Sequence, residues 1–479
     1  MVEIERRTVS NPSVAIIGGG LAGLAAAVAL CEQGLRIVLF EARRELGGRA
    51  GSYSDSVTEE LVDHCQHVGM SCCTNLSDFF RRTEVDGLVK RFDVLHFFGP
   101  NGRRADFRAA AWLPAPFHLG PSLLKFGFLS WSERLSIAKT MMRLARTPNS
   151  DSADGQTIGA WLRKQNQSIR AIQRFWSVVL VSALGESIER ASLAAAKKVF
   201  VDGFMAHKSA YQIDVPIVSL GELYGERVSN WLNDRGVTLR LGATVKQLNV
   251  DNGEVTGLQL ADGSVQNADF VVIALPWRRV GDVVPDAVTN AISELRSVNQ
   301  IKSAPITGIH LWLGRPITSL PHAVLIDRLS QWMFNRGEIS LSSNSDKSAF
   351  YYQVVISASR ELSGRKRDDI LNEVIGDLSS IWPETNETEV VHWRMVTEND
   401  AVFSFVPGFD ELRPSQQTPF RNLFLAGDWT NTGWPSTMEG AVKSGYLAAE
   451  YLLQAIGRQE TIVQPDLPRN WLTRILIRS

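Results

Sequence analysis

Three glycines near the amino terminus have the spacing of a phosphate-binding loop. Gly18, Gly20 and Gly23 form the pattern G-x-G-x-x-G directly after the apolar run 14–17. In such a loop the first glycine permits a tight turn, the second lets the backbone approach a pyrophosphate, and the third lets the next helix pack close to the strand. The amino terminus of that helix would point its free N–H groups and its positive dipole end at the phosphates.

A carboxylate follows where such a unit contacts a ribose. We expect a helix over 21–33, ended by Gly34, and a second strand over 37–40. Glu41 lies 18 residues after Gly23 (41 − 23 = 18), close to the ~20 residues typical of a ribose-binding acid. The alternative is a membrane-spanning helix over the uncharged stretch 14–31, but its glycine cluster lowers helix propensity. The sequence therefore favours a dinucleotide site.

Composition indicates a globular protein rather than a nucleic-acid-binding one. A chain of 479 residues is long enough for two or three domains and a large core. Hydrophobic residues make up 44% and charged residues 21%, which is ordinary for a globular enzyme. The net charge of −1 provides no basic surplus for nucleic acid.

The cysteines do not have the spacing of a metal site. The four are Cys31, Cys65, Cys72 and Cys73. Although His64 and His67 lie close to three of them, adjacent cysteines do not make a C-x-x-C knuckle, so we expect free thiols and no metal. Sparse cysteine and the lack of a signal peptide favour a reducing, cytoplasmic setting.

Periodicity predicts the elements that must position these residues. Ser130 and Glu133 form a capping box for a helix that ends near Arg146. Further helices are expected at 158–184 and 191–200, alternating strands at 237–276 with a turn at 251–253, and other strands at 304–312, 354–358 and 390–395.

A second glycine–acid pair occurs near the carboxyl terminus. Gly427-Asp428 follows the apolar run 423–426, and a helix is expected to begin soon afterwards. Ser436 and Glu439 predict a second capping box at its start. Small residues at 441, 445, 448 and 449 share one face of this helix and predict close packing.

The segment Gly47-Gly48-Arg49 and the Gly427-Asp428 pair resemble the flavoprotein superfamily of amine oxidases and carotenoid desaturases. In that superfamily the glycines and the arginine pass beside the pyrophosphate of FAD, and the G-D pair binds the pyrophosphate and ribityl groups. The resemblance implies FAD as cofactor, held by Gly18, Gly20, Leu21, Ala22, Gly23, Glu41, Ala42, Arg43, Gly48, Arg49, Val245, Gly427, Asp428, Met438, Glu439 and Ala441.

The resemblance also implies an α/β fold. A discontinuous, Rossmann-like FAD-binding domain would comprise 12–90, 205–290 and 415–455, and an inserted α+β substrate domain would comprise 91–204 and 291–414, followed by a C-terminal tail, 456–479. GDP-dissociation inhibitors share this fold without flavin, but the retained Arg49, Asp428 and 438–440 argue against that non-enzymatic alternative.

A narrower resemblance covers 14–453. The stretches DHCQHVG, LPAPFHLGPSLL, HLWLGRPI and LAGDWTNTGWPSTMEGAVKSG look like the hydroxysqualene dehydroxylases, also called squalene-associated FAD-dependent desaturases. Members of that family often have Asn-Gly where this chain has His64-Cys65, so the segment 63–67 departs from the family pattern.

The implied reaction is reductive removal of an allylic hydroxyl from hydroxysqualene to give squalene, a precursor of hopanoids and sterols. Electrons would come from an unidentified donor through FAD, and Asp63 and His67 are the candidates for the acid or its relay. A carotenoid desaturase, with the opposite electron flow, is the first alternative. An amine oxidase is the second, although Trp434 is the only obvious member of an aromatic cage.

A C30 isoprenoid would be dissolved in lipid, so we expect peripheral contact with the inner face of the cell membrane. The stretch 112–131 is rich in Trp, Phe and Leu, and Lys125, Arg134, Lys139 and Arg143 lie in or beside it. The terminal sequence RNWLTRILIRS offers a second anchor. The alternative is that the first stretch lines a buried tunnel and the tail packs on the body.

Overall fold

The computed structural model describes residues 11–148, 155–340 and 349–478. Its strands are β1 (Ser13–Ile17), β2 (Arg36–Glu41), β3 (Ser52–Ser54), β4 (Leu61–Asp63), β5 (Gly69–Met70), β6 (Val89–Phe92), β7 (Leu95–Phe98), β8 (Arg104–Phe107), β9 (Ile213–Pro216), β10 (Thr238–Leu241), β11 (Val245–Asp251), β12 (Glu254–Leu260), β13 (Val265–Asn267), β14 (Phe270–Ile273), β15 (Ser303–Leu313), β16 (His322–Leu325), β17 (Trp332–Asn335), β18 (Phe350–Ser357), β19 (Val390–Phe403) and β20 (Leu423–Leu425).

The α-helices are α1 (Leu21–Glu32), α2 (Thr74–Arg82), α3 (Gly120–Leu124), α4 (Trp131–Arg146), α5 (Ile158–Lys164), α6 (Ile169–Ala171), α7 (Ser177–Leu184), α8 (Leu193–Phe200), α9 (Ser229–Asp234), α10 (Trp277–Val280), α11 (Asp286–Ala291), α12 (Arg336–Ile339), α13 (Arg367–Ser379), α14 (Met438–Ala455) and α15 (Trp471–Leu476). Three π-helical stretches, Ile172–Trp176, Val201–Met205 and Gly221–Val228, adjoin some of them.

A parallel sheet of five strands forms the centre of one half of the molecule. Its order is β10-β2-β1-β14-β20, and every neighbouring pair runs parallel. The apolar runs expected as strands at 14–17, 37–40 and 423–426 all lie in it. Helix α1 returns the chain from β1 to β2 and ends before Gly34, whose φ of +75° is the left-handed conformation typical of a helix end. The α/β prediction for this part of the chain is confirmed.

A seven-stranded sheet forms the centre of the other half, in the order β19-β15-β18-β17-β16-β7-β8. Its neighbours pair antiparallel except β16 and β7, which run parallel. The strands expected at 304–312, 354–358 and 390–395 all belong to it. Helices from 120 to 200 accompany this sheet, so both elements of the predicted α+β region are present, while the exact domain limits stay a prediction.

The helices predicted from the sequence are present, with one exception in their continuity. Ser130 Oγ accepts from the Glu133 N–H and the Glu133 carboxylate accepts from the Ser130 N–H, so the first capping box is confirmed. The region 158–184 is interrupted at 165–168 instead of running continuously. Asn166 adopts a left-handed φ of 56°, and the Ser168 side chain caps a new helix by accepting from the Ala171 N–H.

Hydropathy and length together exclude a spanning helix within the described residues: none is long and apolar enough to cross a membrane. The uncharged stretch at 14–31 is divided between β1 and the 12-residue α1, so the membrane-spanning alternative for that stretch is wrong.

The contact between α1 and α14 yields a stability prediction. A Cβ added at Gly445 would lie 2.3 Å from the Ala22 carbonyl oxygen and 2.9 Å from the Ala25 Cβ, so Gly445→Ala should force the helices apart at a cost of ~1–3 kcal/mol. We expect a lower melting temperature in thermal unfolding followed by circular dichroism.

Gly376, on the exposed face of α13, is the matched control because a Cβ there meets no atom within 4 Å. Gly376→Ala should leave the melting temperature unchanged or raise it, since alanine favours a helix by up to ~1 kcal/mol. Equal melting temperatures for both variants would contradict the close contact.

Candidate active site

A cavity of about 990 Å³ runs from the carboxyl end of β1 to the seven-stranded sheet. At one end it is lined by the glycine loop after β1, and at the other by apolar side chains of the helices between 117 and 205 and of the sheet. Ligands of open α/β sheets bind at the carboxyl ends of the strands, so the cavity lies where the topology places a cofactor.

The three glycines of the loop meet three different steric demands. Gly18 has a φ of +112°, and a Cβ there would lie 2.6 Å from the Ala274 carbonyl oxygen. A Cβ at Gly23 would lie 1.9 Å from the Gly18 oxygen, so α1 packs directly on the loop. A Cβ at Gly20 meets only Gly48 Cα at 3.9 Å, and Gly20 lines the cavity. Gly20 is therefore the position where backbone is open to a ligand.

Glu41 stands at the end of β2 with its carboxylate directed across the loop. Its Oε2 accepts from the Gly19 N–H at 2.7 Å and its Oε1 from the Arg43 N–H at 2.8 Å. A carboxylate offers about four acceptor positions, so these two bonds orient the group and leave acceptor capacity for two hydroxyls. Ala42 and Arg43 line the cavity beside it.

An ion pair joins the two distant glycine motifs. Arg49 Nη2 donates to Asp428 Oδ1 at 2.5 Å, and Arg49 Nη1 donates to the Ala401 carbonyl at 2.9 Å. Asp428 is only 3% exposed, and its Oδ2 accepts from the Ser436 hydroxyl at 2.5 Å. All three side chains line the cavity, so residues separated by 379 positions in sequence form one polar wall.

The predicted capping box at Ser436 and Glu439 is wrong. Thr437 is the N-cap of α14, and its Oγ1 accepts from the Gly440 N–H at 3.1 Å. The Ser436 hydroxyl is bound to Asp428 instead. Ser436 and Thr437 are adjacent, and either hydroxyl could cap the helix. In the folded chain the Ser436 hydroxyl bonds to Asp428, the partner of Arg49, so Thr437 is left to cap the helix.

The Glu439 carboxylate crosses to the amino terminus of α2 and is fully buried. It accepts from the Asn75 and Leu76 N–H groups at 3.2 and 2.8 Å and from Asn75 Nδ2 at 2.7 Å. Burial raises the pKa of Glu439, and the hydrogen bonds from Asn75 and Leu76 oppose that rise. Because free N–H groups of a helix start stabilise an anion, Glu439 fastens α14 to α2.

The wall therefore fits FAD on grounds of its own chemistry. The amino ends of α1 and α14 both reach the cavity, through Leu21 and Ala22 and through Met438 and Ala441. These termini offer free N–H groups, Gly20 offers open backbone, and Glu41 offers acceptors for a ribose. Gly48, Val245 and Gly427 also line the cavity.

Asp63 is the residue at the end of β4 that lies behind the cavity wall. It is 4% exposed, and its Oδ1 accepts from the Ser52 hydroxyl at 2.6 Å and from the Leu220 N–H at 2.7 Å. Burial raises the pKa of Asp63, against the opposing charge of Arg336 and these hydrogen bonds. Asp63 therefore does not line the cavity, although its charge reaches His67, which does.

His67 lines the cavity itself. Its Nδ1 lies 2.9 Å from the Cys65 carbonyl oxygen. Since a carbonyl only accepts, Nδ1 carries the proton and Nε2 is the acceptor in the neutral ring. Desolvation lowers the pKa of His67, while the Cys65 hydrogen bond and the charge of Asp63 oppose that shift.

The structure brings together nearly all residues predicted for the site. Every predicted cofactor residue except Gly23 lines the cavity, and so does His67, whereas Gly23 and Asp63 lie behind it. Their individual roles stay predictions. Sequence reasoning missed Arg336, which bonds Gln66 from outside the wall, because a single arginine after a strand carries no motif.

The far part of the cavity is apolar. Its lining side chains include Leu95, Phe97, Phe107, Leu119, Leu123, Phe126, Met141, Phe175, Val178, Phe200, Trp332 and Phe334. Aliphatic and aromatic walls desolvate a hydrocarbon chain and exclude water from the polar end. This compartment suits an extended apolar ligand.

The cysteines have no disulfide partners. All four thiols are free, and Cys65, Cys72 and Cys73 line the cavity. Burial raises the pKa of Cys65 to about 12, so its thiol stays protonated. Within the described residues no group of three or more His, Cys, Asp or Glu could hold a metal ion.

Known proteins share this architecture and sequence pattern. The chain is 25% identical to a probable zeta-carotene desaturase of Synechococcus elongatus, covering 92% of this chain and 98% of that protein. It is 26% identical to a hydroxysqualene dehydroxylase of Zymomonas mobilis, covering 91% and 98%. A putrescine oxidase bound to putrescine superposes with a TM-score of 0.69 at 14% identity, covering 93% of this chain and 99% of that one.

A family model described as flavin containing amine oxidoreductase matches residues 21–453. That range contains the helix after the glycine loop, the Arg49–Asp428 pair and the start of α14, which build the polar wall of the cavity. The chain therefore belongs to the flavin containing amine oxidoreductase family and is an FAD-dependent oxidoreductase.

Proposed function

We propose that this enzyme reductively removes an allylic hydroxyl from a long isoprenoid, most specifically hydroxysqualene, to give squalene. The observation that carries the proposal is that His67, a group able to give and accept a proton, lines the same cavity as the large set of apolar side chains. A hydrocarbon has no group that could bond its free ring nitrogen, whereas an alcohol offers both a donor and an acceptor. Similarity to a hydroxysqualene dehydroxylase supports the same reading.

In this proposal the polar wall holds the cofactor and the apolar compartment holds the substrate. Gly20 and the start of α1 would bind the pyrophosphate, Glu41 the ribose, and Arg49 with Asp428 the adjoining groups. The amino terminus of α14 would favour negative charge at the ring. Bound FAD supplies the two-electron chemistry when an unidentified donor has reduced it.

His67 would hold the proton that the reaction consumes. Replacing R–OH by R–H with one hydride equivalent and one proton releases water, so the departing oxygen must receive that proton. Protonated His67 can donate from Nε2 while Nδ1 remains bound to the Cys65 carbonyl. The negative charge of Asp63 favours this imidazolium, and the apolar walls keep water from competing for the substrate.

The second candidate is desaturation of a carotenoid precursor. Identity to a zeta-carotene desaturase is 25%, essentially equal to the 26% for the dehydroxylase, and an apolar cavity suits either substrate. Dehydroxylation consumes electrons from reduced flavin and needs a polar group near the carbon that bears the hydroxyl, whereas desaturation delivers electrons to the flavin and needs no such group. The two reactions give different products, so product analysis separates them.

The first functional prediction concerns the phosphate loop. Gly20→Val should abolish FAD retention, because the added side chain projects from backbone that is open to the cavity. The flavin content of the purified protein, read from its absorption band, measures this. Gly281→Ala, where a Cβ meets no atom within 4 Å, should retain full flavin. Full occupancy in Gly20→Val would remove the loop from the cofactor site.

The second functional prediction concerns the substrate. Under anaerobic conditions with chemically reduced flavin, the enzyme should convert hydroxysqualene to squalene, identified by mass spectrometry. With oxidised flavin and an artificial acceptor it should leave phytoene and zeta-carotene unchanged. Desaturated products without squalene formation would overturn the proposal in favour of the second candidate, and turnover of putrescine alone would favour an amine oxidase.

In the same assay His67→Gln should slow dehydroxylation by about 10²-fold or more while FAD stays bound. Desolvation lowers the pKa of His67. As pH rises, the imidazolium therefore loses its proton at a pH below the usual value of ~6.5. The wild-type rate should accordingly fall as pH is raised through the pKa of His67. Asp63→Asn should move the fall to lower pH. Unchanged rates in both variants would exclude the pair.

We also propose that the cavity opens onto an anionic lipid surface. Phe117 is 45% exposed and also lines the cavity, so it marks an opening. The exposed apolar side chains on the same segment, on α4 and on the C-terminal tail are Trp112, Leu124, Trp131, Leu135, Trp471 and Ile475. The tail joins this region because Asn470 Nδ2 donates to the Ala115 carbonyl at 3.0 Å.

Basic side chains accompany this surface, which favours anionic headgroups over a protein partner. Lys125, Lys139 and Arg143 are exposed on and before α4, and Arg134 stacks on Trp131 at 4.7 Å. Apolar rings with adjacent cations are the composition of an interfacial contact. A substrate dissolved in a bilayer could then enter without crossing water.

Flotation with anionic liposomes measures this contact. Wild-type protein should float at low salt and less at high salt, and Trp471→Ser with Ile475→Ser should weaken flotation without unfolding the tail, whose Ile477 is buried. Val265→Ser changes an exposed apolar residue elsewhere, 60% exposed against 72% for both Trp471 and Ile475, and should float as the wild type does. Protein that remains at the bottom at low salt would contradict the proposal.

A further inference from the structure

Arg336 is a buried cation behind the 63–67 segment. It begins α12 directly after β17 and is 7% exposed. Its Nη1 donates to Gln66 Oε1 and to the Pro216 carbonyl, both at 3.0 Å, and its Nη2 donates to the Val218 carbonyl at 3.4 Å. Among the described residues no carboxylate forms an ion pair with it, so neutral oxygens replace its hydration.

A desolvated cation without an ion pair costs folding free energy, and an apolar side chain of similar size would fill the same space without that cost. What an apolar side chain cannot do is direct a hydrogen bond. Of the three hydrogen bonds that the guanidinium directs, the one to Gln66 is the one that reaches a residue lining the cavity.

This contact fixes the direction of the Gln66 amide. A guanidinium has only donors, so the oxygen of Gln66 must face Arg336 and the NH₂ group must face away. Gln66 Nε2 then donates to the His67 carbonyl at 3.0 Å. With Gln66 7% exposed, little water is present to support the opposite orientation of the amide.

The same segment fixes the His67 ring. His67 Nδ1 donates to the Cys65 carbonyl at 2.9 Å, which requires that the peptide groups on both sides of Gln66 keep their orientation. Arg336 holds Gln66, and Gln66 holds the His67 carbonyl. The peptide group that follows His67 is therefore held, through Gln66, by a cation that does not itself line the cavity. No hydrogen bond from the described residues occupies His67 Nε2.

We propose that Arg336 is a positioning residue that acts through Gln66 to fix the orientation and tautomer of His67. The role of His67 toward substrate rests on the proposed function, but its orientation in the protein does not. The alternative is that Arg336 only fastens β9 and the following turn to α12 through its bonds to Pro216 and Val218.

Two variants separate these readings. Gln66→Glu keeps an acceptor for Arg336 but removes the N–H that donates to the His67 carbonyl, so the chain is broken while the contacts to Pro216 and Val218 remain. Arg336→Met removes all three contacts. Arg336→Lys retains a cation with N–H donors but lacks the planar, two-pronged guanidinium group. Arg360→Met, which breaks an ion pair with the buried Glu186, is the matched control for destabilisation alone.

Nitrogen NMR of holoenzyme labelled with ¹⁵N-histidine gives a readout independent of substrate, with His67→Gln assigning the signal. Wild type and Arg360→Met should show a neutral His67 with the proton on Nδ1. Gln66→Glu and Arg336→Met should show a substantial fraction with the proton on Nε2, and Arg336→Lys should return the signal toward wild type. Flavin content and circular dichroism establish that each variant is folded.

In the dehydroxylation assay the two disrupting variants should lower kcat about tenfold or more while KM changes little, because a misplaced proton donor slows the step without weakening binding. An unchanged His67 signal in Gln66→Glu and Arg336→Met would overturn the positioning role. If wild type acts on no isoprenoid but the signal moves as expected, the proposed function fails and the positioning role stands.

Discussion

The structure depends on the close approach of backbones around the glycine loop. A Cβ at Gly18 or Gly23 would meet main-chain oxygen at 2.6 or 1.9 Å, and one at Gly445 would meet the Ala22 oxygen at 2.3 Å. Because side chains are missing at these points, α1 lies against β1 and α14 lies against α1. Two helix amino termini thereby reach one cavity, which a wider spacing of the same elements would not achieve.

Buried carboxylates hold the walls of that cavity, and each is satisfied in a different way. Asp428 is paired with Arg49, Glu439 accepts from a helix start, and Asp63 accepts from a hydroxyl and an N–H. An unsatisfied buried carboxylate would be far more costly than these bonded ones. The bonds also cross between segments distant in sequence, so the wall is organised before any ligand binds, which lowers the ordering entropy that binding must overcome.

The sequence predicted the parts of this site that follow from local rules. The glycine loop, the position of Glu41 and the strands around it depend on spacing and periodicity, and all are present. Prediction failed where two neighbouring residues could play the same local role. Ser436 and Thr437 could both cap α14, and Thr437 does so because Ser436 bonds to Asp428, the ion-pair partner of Arg49. It also failed for Arg336, because the burial and the partners of a lone arginine arise only when β17, β9 and the 63–67 segment meet.

In the proposed function, the preference for an alcohol over a hydrocarbon as substrate would follow from the free-energy cost of an unpaired polar atom. His67 Nδ1 is already hydrogen-bonded to the Cys65 carbonyl, and Nε2 has no such partner among the described residues. Phe, Val, Leu and Met side chains line much of the same cavity. Filling that compartment with a pure hydrocarbon would remove water from Nε2 without replacing its hydrogen bond, a loss of ~1–3 kcal/mol. A substrate hydroxyl would replace it. Under that proposal, binding energy at this position would discriminate between the two substrate classes before any chemistry occurs.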